Sequence, residues 1–459
     1  MSTSYLLERG YVDGAVRADV LVEIVGGRFA TVVPEWSRRQ APGRLARPPG
    51  GEAAGRLARP PESVPGLTVP GLANCHSHAF HRALRGHTQR ERGSFWTWRE
   101  QMYGVAERLD PDSYYALARA TYREMVATGI TCVGEFHYLH HQPGGTPYDE
   151  PNAMGHALIA AAREAGMRIA LLDTCYLAGG FGAAPTTTQL RYSDGDSASW
   201  AERTTQLCSY GADDVVIGAA IHSVRAVPRE HLSTVAQWAA EHQAPLHVHL
   251  SEQVAENDTC LERHRVTPTR LLAEAGALTD LTSAVHATHL TGGDIGLLGE
   301  AASYACFCPT TERDLGDGIG PSRALHDAGA PLTLGSDSHA VIDLFEEMRA
   351  VEMDERLATG QRGHWTAEEL VEAATASGHA SLGFPDAGRI AVGQRADLVT
   401  LDPTSPRTAG TGQDLQTVVF AATAADVRRV VVGGRLVFTP DDRPGIGDEL
   451  DRAIEAVLS

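Results

Sequence analysis

The stretch 71-GLANCHSHAFHRALRG-86 follows the apolar run 67–72 and places three histidines, His76, His78 and His81, within six positions. Imidazole is neither a strong strand former nor a cheap core residue, so such a cluster needs solvent or a partner. Read as the end of a buried strand over 67–73, the stretch puts His76 and His78 two apart, and side chains two apart on a strand leave the same face. Both imidazoles can then reach one ion.

Downstream, short apolar runs at 130–136, 169–175, 215–221, 245–250, 283–287, 303–308 and 331–335 alternate with helical segments such as 111–129, 152–166, 229–243 and 268–275. Eight strands alternating with helices predict an α/β fold, a TIM-like (β/α)8 barrel over 69–386, with its chemistry at the strand C-termini. An open doubly wound sheet is the alternative, but no G-x-G-x-x-G follows a strand. Both chain ends have another style, short alternating strands with glycine turns, as in 19-DVLVEIVGGRFATVV-33 and 427-VRRVVVGGRLVFT-439. They predict a small β-sandwich domain built from 1–68 and 387–459, the latter ending in a helix. Within the first part, GRLARPP occurs at 43–49 and again at 55–61, so 37–65 reads as a mobile, duplicated surface insertion.

Composition excludes several functions. The formal charge of −19 argues against nucleic acid or an anionic membrane as partner, since both require a basic footprint. No apolar stretch approaches the roughly 20 residues of a membrane helix, and the first residues lack a secretory h-region, so a cytoplasmic location is expected. Seven cysteines, an odd number scattered over a long chain, do not read as a disulfide framework, and Cys306 and Cys308 read as buried strand packing. The chain has no lysine, all 39 basic residues being arginine, which rules out Schiff-base lysine catalysis and a carbamylated-lysine bridge between two metals.

Other strand ends add to the opening pair. In 245-PLHVHLSEQ-253, His249 lies nearer the strand end than His247 and precedes Glu252 by three, offering a third imidazole and a proton-carrying carboxylate. His247 reads as a deeper core histidine. In 332-LTLGSDSH-339, Asp337 emerges from an apolar run as a metal-binding carboxylate able to accept a proton, with a helix N-cap as the competing reading; His339 reads as a loop histidine. His286 ends the sixth strand, His222 and Arg225 follow the fourth, and 134-GEFHYLHH-141 follows the second. Three imidazoles and one carboxylate around a divalent ion leave an open position for water, as a catalytic zinc site requires.

With H-S-H, H-L-S-E, His286 and S-D-S-H after strands one, five, six and eight, the chain resembles the amidohydrolase superfamily, and within it the mononuclear-zinc deaminases, which lack the bridging lysine. The stretches beginning GEFHYLHH, HSVRAV and CPTTERDLGDGI resemble the formimidoylglutamate deiminases, which convert N-formimidoyl-L-glutamate and water to N-formyl-L-glutamate and ammonia in histidine degradation. The resemblance implies one divalent ion, zinc or else ferrous iron, on His76, His78, His249 and Asp337. It makes Glu252 and His286, with Asp337, the catalytic groups. It further implies that Arg225 and Arg99 bind the carboxylates of a small dicarboxylate substrate, with Tyr138, His222 and His81 at its reacting end. Position 81 is glutamine in some relatives; both side chains can donate a hydrogen bond. A homodimer is the expected assembly. The competing functions are a deaminase of guanine, cytosine or an adenosine-like base, and a non-enzymatic barrel scaffold.

Overall fold

The computed structural model describes residues 2–36, 60–89 and 95–459. Strands β1 (Ser2–Val12), β2 (Ala15–Val25) and β3 (Arg28–Val33) form an antiparallel meander, and β4 (Glu62–Pro70) pairs in parallel with β1. The chain then enters a second sheet of eight parallel strands in sequential order: β5 (Leu72–Ser77), β6 (Ile130–His137), β7 (Arg168–Cys175), β8 (Val215–Ile221), β9 (Leu246–Leu250), β10 (Thr282–His286), β11 (Tyr304–Phe307) and β12 (Leu332–Leu334). Finally β13 (Leu398–Leu401), β14 (Val427–Val432) and β15 (Arg435–Phe438) return to the first sheet, completing the order β15-β14-β13-β4-β1-β2-β3. This mixed sheet needs both chain ends, and it has a core of its own around Leu7, Val22, Phe29, Leu398 and Val431.

Every residue of β5, β6, β7, β9, β10 and β12 is buried, as parallel strands must be when helices cover one face and barrel side chains fill the other. Local signals start and stop the helices between them: Asp110 accepts from Ser113 N–H to cap Pro111–Ala127, and Gly166, left-handed at φ 84°, ends Ala153–Ala165. The barrel is drawn together where β12 meets β5. There Asp337 N–H donates to His76 O (2.9 Å), His78 N–H donates to Asp337 O (3.3 Å), and the Asn74 amide holds Ser336 Oγ (2.7 Å). Gly335 makes this approach possible, because a Cβ there would lie 2.7 Å from His76 Cβ.

Two sequence readings are corrected. The run 67–73 is not one barrel strand; it splits at Pro70–Gly71, the apolar residues before the break belonging to β4 and those after it to β5. Residues buried in either sheet look alike in sequence, so only the break distinguishes them. The insertion read as 37–65 ends before Glu62, where β4 begins; residues 37–59, with most of the duplication, lie outside the described residues. The seven cysteines are unpaired. No helix among the described residues is long and apolar enough to cross a membrane.

Candidate active site

Four groups proposed as ligands come from three places in the barrel. His76 is the last residue but one of β5, His78 directly follows the strand, His249 is on β9, and Asp337 follows β12. Their donor atoms converge: His249 Nε2 is 3.0 Å from His76 Nε2, and Asp337 Oδ1 is 3.4 Å from His76 Nε2 and 3.3 Å from His78 Nε2. The backbone sets the ring orientations. His78 Nδ1 lies 3.0 Å from Phe136 O and His249 Nδ1 lies 2.8 Å from His222 O, so each donates its Nδ1–H outward and turns an Nε2 lone pair inward. Burial drives the His78 imidazole down to about 3 and His249 well below the usual range, keeping both neutral, the form that binds a cation. Burial pushes the Asp337 carboxyl up, but the His76 hydrogen bond and nearby imidazoles outweigh it and hold the group ionised. Three inward imidazole nitrogens and one carboxylate oxygen, buried together, fit a divalent cation of the zinc type.

Beside this quartet stand His286 and Glu252, with His286 Nε2 4.0 Å from Glu252 Oε1 and 3.8 Å from Asp337 Oδ2. Burial lowers the His286 pKa, yet the Glu312 hydrogen bond and the Glu252 and Asp337 charges raise it to about 10. Glu312, which the sequence reading did not single out, faces His286 Nδ1 at 3.3 Å and is itself fixed by Cys308 N–H at 2.9 Å. Its only sequence signal is an acid in the first helical turn after a strand-end cysteine. Cys308, read as strand packing, also brings its Sγ within 4.8 Å of the His286 and Asp337 donor atoms. Ser251, His286, Ala287, Asp337 and His339 all have positive φ without being glycine, a concentration of strained backbone around one cavity.

That cavity, about 500 Å³, is lined by His78, His249 and Asp337 and, farther out, by all the residues expected to bind substrate. His81 Nε2 and Tyr138 Oη are 3.0 Å apart. Arg99 Nε donates to Tyr103 Oη at 2.6 Å. Arg225 lies with Nε 2.6 Å from Glu256 Oε2 and Nη2 3.4 Å from Glu252 Oε2; these carboxylates keep its guanidinium charged against the desolvation of burial. Glu256 too was missed from sequence. His339 does lie in the loop after β12, but it is fully buried there, between Ser336 Oγ (3.0 Å) and Ser77 Oγ (3.2 Å). His247 is buried outside the quartet. A second buried group, His137, His140 and Asp173, gathers behind the ends of β6 and β7.

The fold and this site define a metal-dependent hydrolase architecture, and the chain belongs to the amidohydrolase family, whose model matches residues 67–437. Among individual relatives, it is 36% identical over 411 residues to a formimidoylglutamate deiminase of Pseudomonas aeruginosa, covering 86% of this chain and 90% of that one. It is 29% identical over 378 residues to a 5-methylthioadenosine/S-adenosylhomocysteine deaminase of Halobacterium salinarum, covering 81% of each. The structure superposes on an amidohydrolase from Brucella melitensis with a TM-score of 0.85 at 30% identity over the whole of both chains. An adenosine deaminase from Xanthomonas campestris solved with bound zinc shares the fold (TM-score 0.83, 21% identity, 99% of this chain and 98% of that one). The protein is thus an amidohydrolase with deaminase relatives.

Proposed function

We propose that the protein hydrolyses the amidine of N-formimidoyl-L-glutamate to N-formyl-L-glutamate and ammonia. The observation that carries this reading is the pairing, in one cavity, of His78, His249 and Asp337 of the buried quartet with the guanidinium groups of Arg225 and Arg99. A chain with a formal charge of −19 has no general attraction for a dicarboxylate, so an anionic substrate needs such local cations. The 36% identity to a named formimidoylglutamate deiminase agrees with it.

In this reading His76, His78, His249 and Asp337 hold the cation, for which zinc is our assignment and ferrous iron the competitor. The ion, when bound, supplies the Lewis acidity that makes water nucleophilic near neutral pH. Arg225 and Arg99 hold the glutamate carboxylates, while Tyr138, His222 and His81 orient the formimidoyl group. Glu252 accepts a proton from the attacking water and passes it to the terminal amidine nitrogen, and the second proton, left on the new hydroxyl, follows by way of Asp337 to the same nitrogen as the carbonyl forms. The carbon–oxygen bond forms, the bond to that nitrogen breaks, and ammonia leaves while the amide to glutamate stays. His286, held by Glu312, presents Nε2 to Glu252 and Asp337 and steadies the charge that moves between them.

A second reading, deamination of an adenine nucleoside, has the aromatic cavity wall of Trp98, Tyr103, Tyr176 and Phe181 in its favour, together with the methylthioadenosine-type relatives. Ammonia release with purified, zinc-loaded protein separates the two. We expect turnover of N-formimidoyl-L-glutamate and none of 5-methylthioadenosine, adenosine, guanine or cytosine; the reverse result overturns the assignment.

A further inference from the structure

Glu256 lies outside the residues that the proposed reaction uses, yet it is one of the few fully buried carboxylates facing the cavity. It occupies the first turn of the helix Val254–His264, which begins just after Glu252. One of its oxygens, Oε1, accepts Ser251 N–H at 3.2 Å, which ties the carboxylate to the strand-to-helix turn. The other, Oε2, faces Arg225 Nε at 2.6 Å. Arg225 itself sits on a separate loop after β8, with its side chain about one-fifth exposed to the cavity. A guanidinium on a flexible stem loses most of its selectivity when it can rotate; anchored at Nε, it keeps its fork in one plane and presents the remaining N–H groups in a fixed direction. Here the Glu256 carboxylate pairs as an ion with the Nε edge, Nη2 reaches 3.4 Å toward Glu252, and Arg225 lies on the wall of the cavity that ends at His78, His249 and Asp337.

Resting on the function proposed above, we infer that Glu256 is a positioning residue for substrate selection: it locks the Arg225 guanidinium into a carboxylate-reading pose beside Glu252, and thereby sets which anions the cavity accepts. An ion pair that merely held the loop to the helix would need neither the exposed fork nor its proximity to the proton carrier. The arrangement also places the anion subsite and Glu252 on one guanidinium, so a substrate carboxylate is registered next to the group that moves the proton.

The test uses glutarate as a dicarboxylate probe, its binding to full-length, zinc-loaded protein measured by calorimetry, alongside metal content. Glu256→Gln removes the charge and keeps the shape; it should weaken glutarate roughly tenfold to a hundredfold, the worth of an interaction with a charged group, with zinc content unchanged. In an Arg225→Ala background the same substitution should change nothing further, because Glu256 acts through Arg225. Equal weakening in both backgrounds, or none in either, overturns the inference. Should Glu256→Gln not fold, Glu256→Asp keeps the charge and draws the guanidinium back; KM for N-formimidoyl-L-glutamate should then rise with kcat within about threefold, and a fall in kcat alone overturns it. Glutarate binding that responds as stated, in a protein that releases no ammonia from N-formimidoyl-L-glutamate, supports the anchoring role and removes only the substrate assignment.

Discussion

The barrel carries two buried groups of histidine and aspartate, and they differ in ways a ligand inventory does not capture. In the first, His76 and His78 turn their Nε2 atoms toward Asp337, His249 brings its Nε2 to that of His76, and His78, His249 and Asp337 line the cavity. In the second, His137, His140 and Asp173 offer donor atoms within 4.8 Å of one another, and His140 even donates Nε2–H to Thr174 O (2.9 Å) as a metal ligand would. Asp173, however, is already occupied: Arg203 grips both its oxygens at 2.8 Å, and Trp200 Nε1 (3.0 Å) and Thr204 Oγ1 (3.1 Å) complete its shell. Among the described residues no arginine pairs with Asp337. A guanidinium and a metal ion compete for the same carboxylate, so the first group is suited to a cation and the second has one built in.

The largest effect should come from breaking the first group. Asp337→Ala should abolish zinc binding, read by elemental analysis, and lower ammonia release by on the order of 10³-fold or more. Next, Glu252→Gln should keep a full complement of metal and lose activity by roughly 10²–10⁴-fold, since it removes proton transfer and no ligand. Breaking the second group should act on stability alone. Arg203→Met leaves Asp173 buried and unpaired, which costs about 3–5 kcal/mol in unfolding experiments, with one metal per chain retained. Acid should expose the same dependence. Burial raises the Asp173 carboxyl, but Arg203 and His140 outweigh it and hold it down to about 2. Its contribution to stability is therefore complete above the unfolded carboxyl range near ~4 and is lost as pH falls toward 2. Acid titration of wild type against Arg203→Met, followed by circular dichroism, should show the steeper loss in wild type. The smallest effect is expected from His140→Gln, which should leave metal content and kcat within about twofold and lower Tm by a few degrees. A variant that loses metal would place an ion in the second group after all.

Legibility followed the range of the interaction. Barrel strands from β6 to β12 could be read from apolar runs with a residue or so of error at their ends, because burial on both faces leaves an uninterrupted signal. The first strand was misplaced for the same reason: residues 67–69 are as apolar as 72–73, though they serve another sheet. His76, His78, His249 and Asp337 stood out as polar residues at the ends of such runs. His339 had the same appearance, and only packing against Ser77 and Ser336 reveals it as scaffold. Glu312 and Glu256 gave almost no signal, since a glutamate in the first turn of a helix is ordinary there.

From the sequence alone come the alternation of strands and helices, the kinds of side chain at each strand end, and the absence of lysine, for these depend on local pattern and composition. Tertiary structure decided which histidines share a centre, which aspartate remains open to a cation, and which carboxylates hold His286 and Arg225. Those outcomes depend on contacts between distant strands and loops, where one neighbouring guanidinium separates an aspartate that faces imidazoles from one already paired.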